Sequence, residues 1–246
     1  MHGILKKKYG QNFLIDKNIL IKISNLIPKR NLNIIEIGPG SGLLTEHILN
    51  SNPNKLKIIE IDMELIPSLN MKFNKYENIE IINEDILNYQ ILEKVDLIIS
   101  NLPYNISSQV LVKICQLFHL PHKLILMFQK EFAERLLDKK LNSLNSLVNC
   151  FYEINANFDV SKNCFRPIPK VNSKVLLFSK RKNYLLKKSE ITNYTNFKRL
   201  LFSHKRKKLS NLLKNFKFKK ENFNLNERVE NISLEELLKI FREVNL

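Results

Sequence analysis

Asn101-Leu102-Pro103-Tyr104 places a side-chain amide, a main-chain carbonyl ahead of a proline, and an aromatic ring in immediate succession. These groups suit a base that carries an exocyclic amine. Such an amine is a poor nucleophile because its lone pair is conjugated into the ring. The Asn101 carbonyl oxygen and the Leu102 main-chain carbonyl, the latter held in direction by Pro103, can accept both amino hydrogens and localise that lone pair. Tyr104 can stack on the base. Dehydrated acceptors aimed in advance act mostly in the transition state, where positive charge grows on the nitrogen. The reaction this supports is attack of the amine on an activated methyl group. It needs neither a metal nor a general base, because the proton becomes acidic once the methyl is on. Four residues alone read first as a strand followed by a proline turn, since prolines commonly punctuate turns.

Val95 to Ile99 is a short, mostly apolar run that predicts a buried parallel strand, and Ser107 or Ser108 can N-cap the apolar-periodic run that follows. The motif would then lie at a strand's carboxyl end, where open α/β sheets bind ligands. Upstream, Asn33–Ile37 is a buried-strand pattern running into Gly38-Pro39-Gly40-Ser41-Gly42, after which Leu43, Leu44, His47 and Ile48 mark a helical face. Glycines let the backbone take positive φ and approach a ligand closely. A dinucleotide site would space them G-x-G-x-x-G, and here the third glycine comes one residue sooner. Leu56–Asp62 is the next strand, with Glu60 about twenty residues past the glycines, where an acid can accept from both hydroxyls of a ribose. Asp62 is the rival acid and reads as a cap. Ile79–Ile82 is a third strand; after it Asp85 can accept from an adenine amino group and Ile86 can pack on the adenine face. Glu36, Glu60, Asp85 and Asn101 thus follow four successive strands.

The chain has 246 residues, enough for one sizeable core and an appendage, and its formal charge of +16 suits a polyanionic partner. An AT-rich genome, which inflates Lys, Asn and Ile, accounts for part of that charge. The three cysteines, Cys115, Cys150 and Cys164, lack paired spacing and read as reduced core residues, not a disulfide framework or a zinc site. No apolar leader or membrane-length run is visible, which predicts a cytoplasmic protein. The cations cluster at Lys6-Lys7-Lys8, at Lys180-Arg181-Lys182, where the composition shifts, and at Lys205-Arg206-Lys207-Lys208, inside a stretch read as helical. Asp16 can N-cap a helix with Ile19, Ile23, Leu26 and Ile27 on one stripe, and Ser233-Leu234-Glu235-Glu236 has capping-box spacing. Lys123–Phe128 reads as a fifth strand and Val175–Phe178 as the last. Between them the prolines of Phe165-Arg166-Pro167-Ile168-Pro169 stiffen a loop; Phe165 is either a second stacking wall opposite Tyr104 or a core residue.

Asn101–Tyr104 resembles the Asn-Pro-Pro-Tyr signature of amino methyltransferases acting on adenine or cytosine, and its extension through Asn105-Ile106-Ser107 resembles the ribosomal RNA adenine dimethyltransferases. The G-x-G-x-G turn after Glu36 resembles motif I of S-adenosylmethionine-dependent methyltransferases. Gly10-Gln11-Asn12-Phe13-Leu14, Gln129-Lys130-Glu131, the Phe-x-Pro-x-Pro-x-Val-x-Ser loop from Phe165 to Ser173, and the basic segment at Lys205–Lys208 also match the family's motifs. Leu144-Asn145-Ser146-Leu147-Val148 departs from its Tyr-Gly-Arg-Leu-Ser pattern, which puts any substrate contact there in doubt.

The chain is therefore identified as a member of the KsgA-type small-subunit ribosomal RNA adenine dimethyltransferase family. That resemblance implies a Rossmann-like, seven-stranded α/β sheet with helices on both faces and one antiparallel strand, in a catalytic domain over residues 1–182. A small helical RNA-binding domain over 183–246 would follow. It implies four methyl transfers from S-adenosylmethionine to two adjacent adenosines near the 3′ end of small-subunit ribosomal RNA. Asn101, Leu102, Pro103 and Tyr104 would be catalytic. Asn12, Leu14, Gly38, Gly40, Glu60 and Asp85, with Asn101, would hold the cofactor. Phe165, Lys205, Arg206, Lys207 and Lys208 would contact RNA. The partner would be the RNA or a pre-30S particle, met by a monomer without metal or membrane. The alternatives are the large-subunit methylase that confers macrolide resistance and a non-catalytic RNA-binding assembly factor.

Overall fold

The computed structural model describes residues 12–244, so the Lys6–Lys8 cluster lies outside the described residues. A two-residue ribbon pairs β1 (Phe13–Leu14) antiparallel to β8 (Phe165–Arg166). The main sheet has seven strands: β2 (Asn33–Ile37), β3 (Lys55–Glu60), β4 (Ile79–Asn83), β5 (Leu97–Asn101), β6 (Lys123–Gln129), β7 (Tyr152–Val160) and β9 (Ser173–Lys180). Their order is β4-β3-β2-β5-β6-β9-β7. β4 through β6 pair in parallel, and β9 runs antiparallel to β6. The sheet's order reverses beside β2, whose neighbours are β3 on one side and β5 on the other. Ligands bind at such a switch point, outside the carboxyl ends of the strands.

The central strands β2, β3, β5 and β6 form because their residues are mostly apolar on both faces, as parallel strands covered on two sides must be. Ile34, Ile35, Ile58, Ile59, Leu97, Ile98, Ile99 and Leu124–Phe128 are all 2% exposed or less. Each such side chain contributes roughly 1.5–3 kcal/mol over its exposed state. β7 gave no such signal, since the middle of Tyr152–Val160 is half-buried or exposed.

The helices are α1 (Lys17–Ser24), α2 (Leu43–Leu49), α3 (Ile66–Phe73), α4 (Ser107–Gln116), α5 (Lys130–Leu137), α6 (Asn145–Val148), α7 (Ile191–Ser203), α8 (Leu209–Leu212) and α9 (Leu234–Glu243). Asp16 caps α1 as expected, its Oδ1 accepting from Ile19 N at 3.0 Å. Ser233 caps α9, its Oγ accepting from Glu236 N at 3.1 Å. Ser107 does not cap α4. The N-cap is Ile106, and the Ser107 hydroxyl donates instead to the Pro103 carbonyl at 3.2 Å, which also accepts from Ile106 N. None of the described helices is long and apolar enough to cross a membrane.

The chain divides into two compact units, one running to Glu134 and including Ile154–Lys180, the other comprising Arg135–Glu153 and Arg181 onward. The second unit thus takes in a segment well before the composition shift at Lys180-Arg181-Lys182. Its core joins Tyr194 and Phe197 of α7 to Phe241 of α9, with ring centroids 5.2 and 5.5 Å apart. The divergent Leu144–Val148 stretch belongs to this unit and is structural. Asn145 and Ser146 are fully buried. Asn145 donates to the Lys140 carbonyl at 3.0 Å, and the Ser146 carbonyl accepts from Tyr194 Oη at 3.2 Å.

Candidate active site

A cavity of about 240 Å³ opens where the switch point predicts, lined by Asn12–Leu14, Glu36–Ser41, Leu43, Leu44, Ile59–Ile61, Glu84–Ile86 and Asn101–Ile106. All of these lie in the first unit. β5 runs two residues further than the apolar run suggested, because Asn101 still pairs with Met127 of β6. Asn101 is therefore a strand residue with a fixed backbone. At the switch itself, Ser100 Oγ donates to the Ile37 carbonyl at 2.6 Å, locking β5 to β2.

The Asn101 amide is oriented from outside its own strand. Its Nδ2 donates to the main-chain carbonyl of Asn12 at 3.0 Å. That bond sets the rotation of the amide. Oδ1, the acceptor an amino group would need, becomes the face of the amide that remains for a ligand. Asn12 thus acts on the site through its backbone, a role that no side-chain motif could announce. Leu102 is 1% exposed and anchors the loop into the core. Tyr104 is half-buried, and its Oη lies 3.0 Å from Ser173 Oγ. Burial raises the Tyr104 pKa, with the Ser173 hydrogen bond opposing, so its hydroxyl stays protonated at neutral pH.

On the cofactor side, Gly38 and Gly40 have φ of 66° and 58°. A Cβ on Gly38 would meet nothing within 4 Å, leaving a backbone cradle open to the cavity, whereas one on Gly40 would lie 2.6 Å from the Phe13 ring. Phe13 therefore closes over the glycine turn, which the sequence reading missed between Asn12 and Leu14. Leu14 lines the same wall. Glu60 is 4% exposed at the end of β3. Its Oε1 accepts from Asp62 N at 2.8 Å and its Oε2 from Gly40 N at 3.1 Å. Each oxygen retains a second lone pair, so the carboxylate is aimed by the backbone with acceptor capacity left for two hydroxyls. Burial raises its pKa, and these two hydrogen bonds oppose the rise. Asp62 does not cap α3, whose N-cap is Leu65; it shapes the turn before that helix instead, its Oδ1 accepting from Glu64 N at 3.2 Å. Asp85 Oδ1 accepts from Leu87 N at 2.9 Å beside the buried Ile86.

Glu36 is 1% exposed on β2. Its Oε2 accepts from Thr45 Oγ1 of α2 at 2.6 Å. Burial, aided by the charge of Glu60, pushes its carboxyl up to about 8 against the pull of the Thr45 bond. The described lining holds four acids and neither lysine nor arginine. Among the described residues of the lining, a pyrophosphate would find no cationic side chain. A positively charged ligand with ribose hydroxyls and an adenine amine fits, and S-adenosylmethionine is of that kind.

Two expected RNA contacts are placed otherwise. Phe165 is fully buried, pairs with Leu14 in the small ribbon and packs in the hydrophobic core. As placed it offers no ring face to a base, and the core reading of that loop holds. Lys205–Lys208 are exposed as expected, but they form the turn between α7 and α8, not part of a helix. α7 ends at Ser203, and its C-cap His204 has φ of −125°. Lys208 then bridges to Arg228, and Leu209 N donates to the Glu227 carbonyl at 2.9 Å.

Comparison with known proteins bears on the same features. A profile of the ribosomal RNA adenine dimethylase family matches residues 4–246. The ribosomal RNA small subunit methyltransferase A of Mycoplasmopsis pulmonis is 38% identical, over 97% of this chain and 98% of the relative. That of Sulfurihydrogenibium sp. is 34% identical, over 96% and 95%. Among solved structures, a dimethyladenosine transferase from Plasmodium falciparum superposes with a TM-score of 0.79 at 25% identity, covering 93% of this chain and 95% of its own. The 23S rRNA methyltransferase ErmE shares the fold, with a TM-score of 0.76 at 23% identity over 96% of this chain and all of its own. The chain, matched by that profile over nearly its whole length, belongs to the ribosomal RNA adenine dimethylase family.

Proposed function

We propose that the protein dimethylates the N6 amines of two adjacent adenosines near the 3′ end of small-subunit ribosomal RNA, with S-adenosylmethionine as donor. It would act as a monomer on the RNA or on a pre-30S particle. The observation that carries the reading is the orientation of Asn101, whose Nδ2 is committed to the Asn12 carbonyl so that Oδ1 is the acceptor left for an amine.

When bound, S-adenosylmethionine supplies a methyl group on a positively charged sulfur. Gly38 and Gly40 would take its backbone-facing side, Glu60 its ribose hydroxyls, and Asp85 its adenine amine, with Asn12 and Leu14 bordering it. The target adenosine must leave its stack to reach the cavity, and a flipped base is held by hydrogen bonds to its edge and by stacking. Asn101 Oδ1 and the Leu102 carbonyl accept the two N6 hydrogens, and Tyr104 stacks on the ring. Both acceptors strengthen as N6 becomes cationic, which lowers the barrier more than it tightens ground-state binding. No side chain has to remove the proton beforehand. The exposed cations Lys205–Lys208 would meet phosphates.

The direct test is mass spectrometry of nucleosides from the host's small-subunit RNA with and without this protein. Dimethyladenosine should disappear without it and return on complementation. Unchanged dimethyladenosine would overturn the assignment.

A further inference from the structure

The ring of Tyr104 is anchored at its far end. Ser173, whose Oγ lies 3.0 Å from Tyr104 Oη, is fully buried as the first residue of β9 and stands opposite Gln129 in the antiparallel pairing with β6. β6 pairs in turn with β5, where Asn101 faces Met127. The hydroxyl pair therefore reaches from the loop after β5 past the end of β6 to β9, two strand spacings or about 10 Å. One partner sits on a loop and the other on the sheet.

The Pro103 carbonyl, accepting from Ile106 N and from the Ser107 hydroxyl, fixes where the Tyr104 backbone sits, but these bonds leave the Tyr104 side-chain torsions free. A half-buried ring with free torsions would lose that freedom each time it captured a base, and binding would be weaker by that cost. A hydrogen bond at the ring's tip removes the freedom beforehand. Serine suits the position because its hydroxyl can donate or accept, whichever a protonated phenol requires.

The second methyl transfer makes the greater demand on this arrangement. A monomethylated amine offers one hydrogen to the two acceptors at Asn101 and Leu102, so placement of the base then depends more on the stacked ring. We propose that Ser173 is a positioning residue that fixes the Tyr104 ring for the target base through the Oη–Oγ hydrogen bond, and thereby sets how completely the second methyl is added. The proposal rests on the assignment of Tyr104 to that base.

The test uses the purified full-length protein with S-adenosylmethionine and unmethylated small ribosomal subunits, with mono- and dimethyladenosine separated by mass spectrometry. Ser173→Ala and Tyr104→Phe should each slow the second transfer by about 3- to 10-fold, the effect of one net hydrogen bond. Both should accumulate monomethyladenosine while leaving cofactor affinity unchanged in calorimetry. The double variant should be no worse than either single one, because both remove the same bond. Ser173→Thr, which keeps the hydroxyl, should recover the wild-type ratio of products. Should a buried Ser173 variant fold poorly, Tyr104→Phe decides alone, since it removes one oxygen from a half-buried ring. A wild-type product ratio in Tyr104→Phe, or additive losses in the double variant, overturns the proposal. Full dimethylation by Asn101→Ala and Tyr104→Ala would overturn the assignment of the base site itself.

Discussion

The acids of the cavity and the cations of the α7–α8 turn are built by opposite rules. Glu36 and Glu60 are 1% and 4% exposed, and their oxygens accept from Thr45, Asp62 and Gly40. Lys205, Arg206, Lys207 and Lys208 are all exposed on a turn. A dehydrated, hydrogen-bonded group acts over one contact distance and is worth much there. A solvated charge acts over roughly 8–10 Å, is screened by salt and contributes little singly. Chemistry at the cavity should therefore fail sharply on single substitutions, while RNA affinity through the turn should erode by degrees.

The sharpest break is expected at Asn101. Asn101→Ala removes an acceptor that strengthens as N6 becomes cationic, and should slow turnover about 10²- to 10³-fold, the size found for one preorganised polar group. Tyr104→Ala removes stacking worth about 1–3 kcal/mol and should accumulate monomethyladenosine more than Asn101→Ala does. Equal product ratios in single-turnover reactions would show that the two side chains do not divide the work in this way.

Next in size is Glu60. Without its carboxylate, two buried ribose hydroxyls lose an acceptor at a cost of about 1–3 kcal/mol, so Glu60→Ala should weaken S-adenosylmethionine binding roughly 5- to 150-fold. Unchanged affinity in calorimetry would place the ribose elsewhere in the cavity.

What was legible in the sequence follows the same division. β2, β3 and β6 were readable within one or two residues because a strand buried on both faces must be a mostly continuous apolar run, and the half-buried edge strand β4 was readable from its isoleucines. Glu60 and Asn101 were readable because they end such runs. Side chains that act through another group left no signal of their own: Phe13 closing over Gly40, Ser100 tying β5 to β2, and Ser173 reaching Tyr104. Ser173 did stand at the end of a recognised loop motif, yet only the antiparallel register of β9 brings it to Tyr104. Phe165 misled because an aromatic in a proline-rich loop looks alike whether it faces a base or the core. The cations were found by composition, but their turn depends on Lys208 pairing with Arg228, a contact between residues distant in sequence.

A third break uses pH and needs no ligand. The Glu36 carboxyl titrates at about 8 in the folded protein against an ordinary 4.5. Between those values the folded state keeps a proton that the unfolded chain has released, so stability falls as pH rises through the window, by a factor of up to about ten in the folding equilibrium per pH unit. The contribution is fully present below 4.5 and gone above 8. Glu60, also raised, adds to the same trend. Glu36→Gln keeps an acceptor for Thr45 and cannot ionise. Thermal unfolding should find it close to wild type at pH 5 and more stable than wild type at pH 8.5. A variant whose melting temperature tracks wild type across that range would mean that Glu36 ionises at its ordinary pH.

The smallest effect per residue is expected at the turn, and it tests the other half of the contrast. Each cation that neutralises an RNA phosphate releases condensed counterions, so affinity falls with a salt slope of roughly 0.7–0.9 per contact. One contact therefore accounts for only about a 3-fold change in affinity between 50 and 200 mM salt. Replacing Lys205, Arg206, Lys207 and Lys208 by Gln one at a time should flatten the slope in near-equal steps, and the four together should add. Cofactor affinity should not move, because neutralising solvated charges leaves the hydrogen bonds at Glu60 intact. Filter binding over a potassium chloride series reads the slope directly. If one substitution alone abolished binding, the turn would be a fixed contact of the cavity's kind; if all four left the slope unaltered, these cations would be a solvated surface that RNA does not touch.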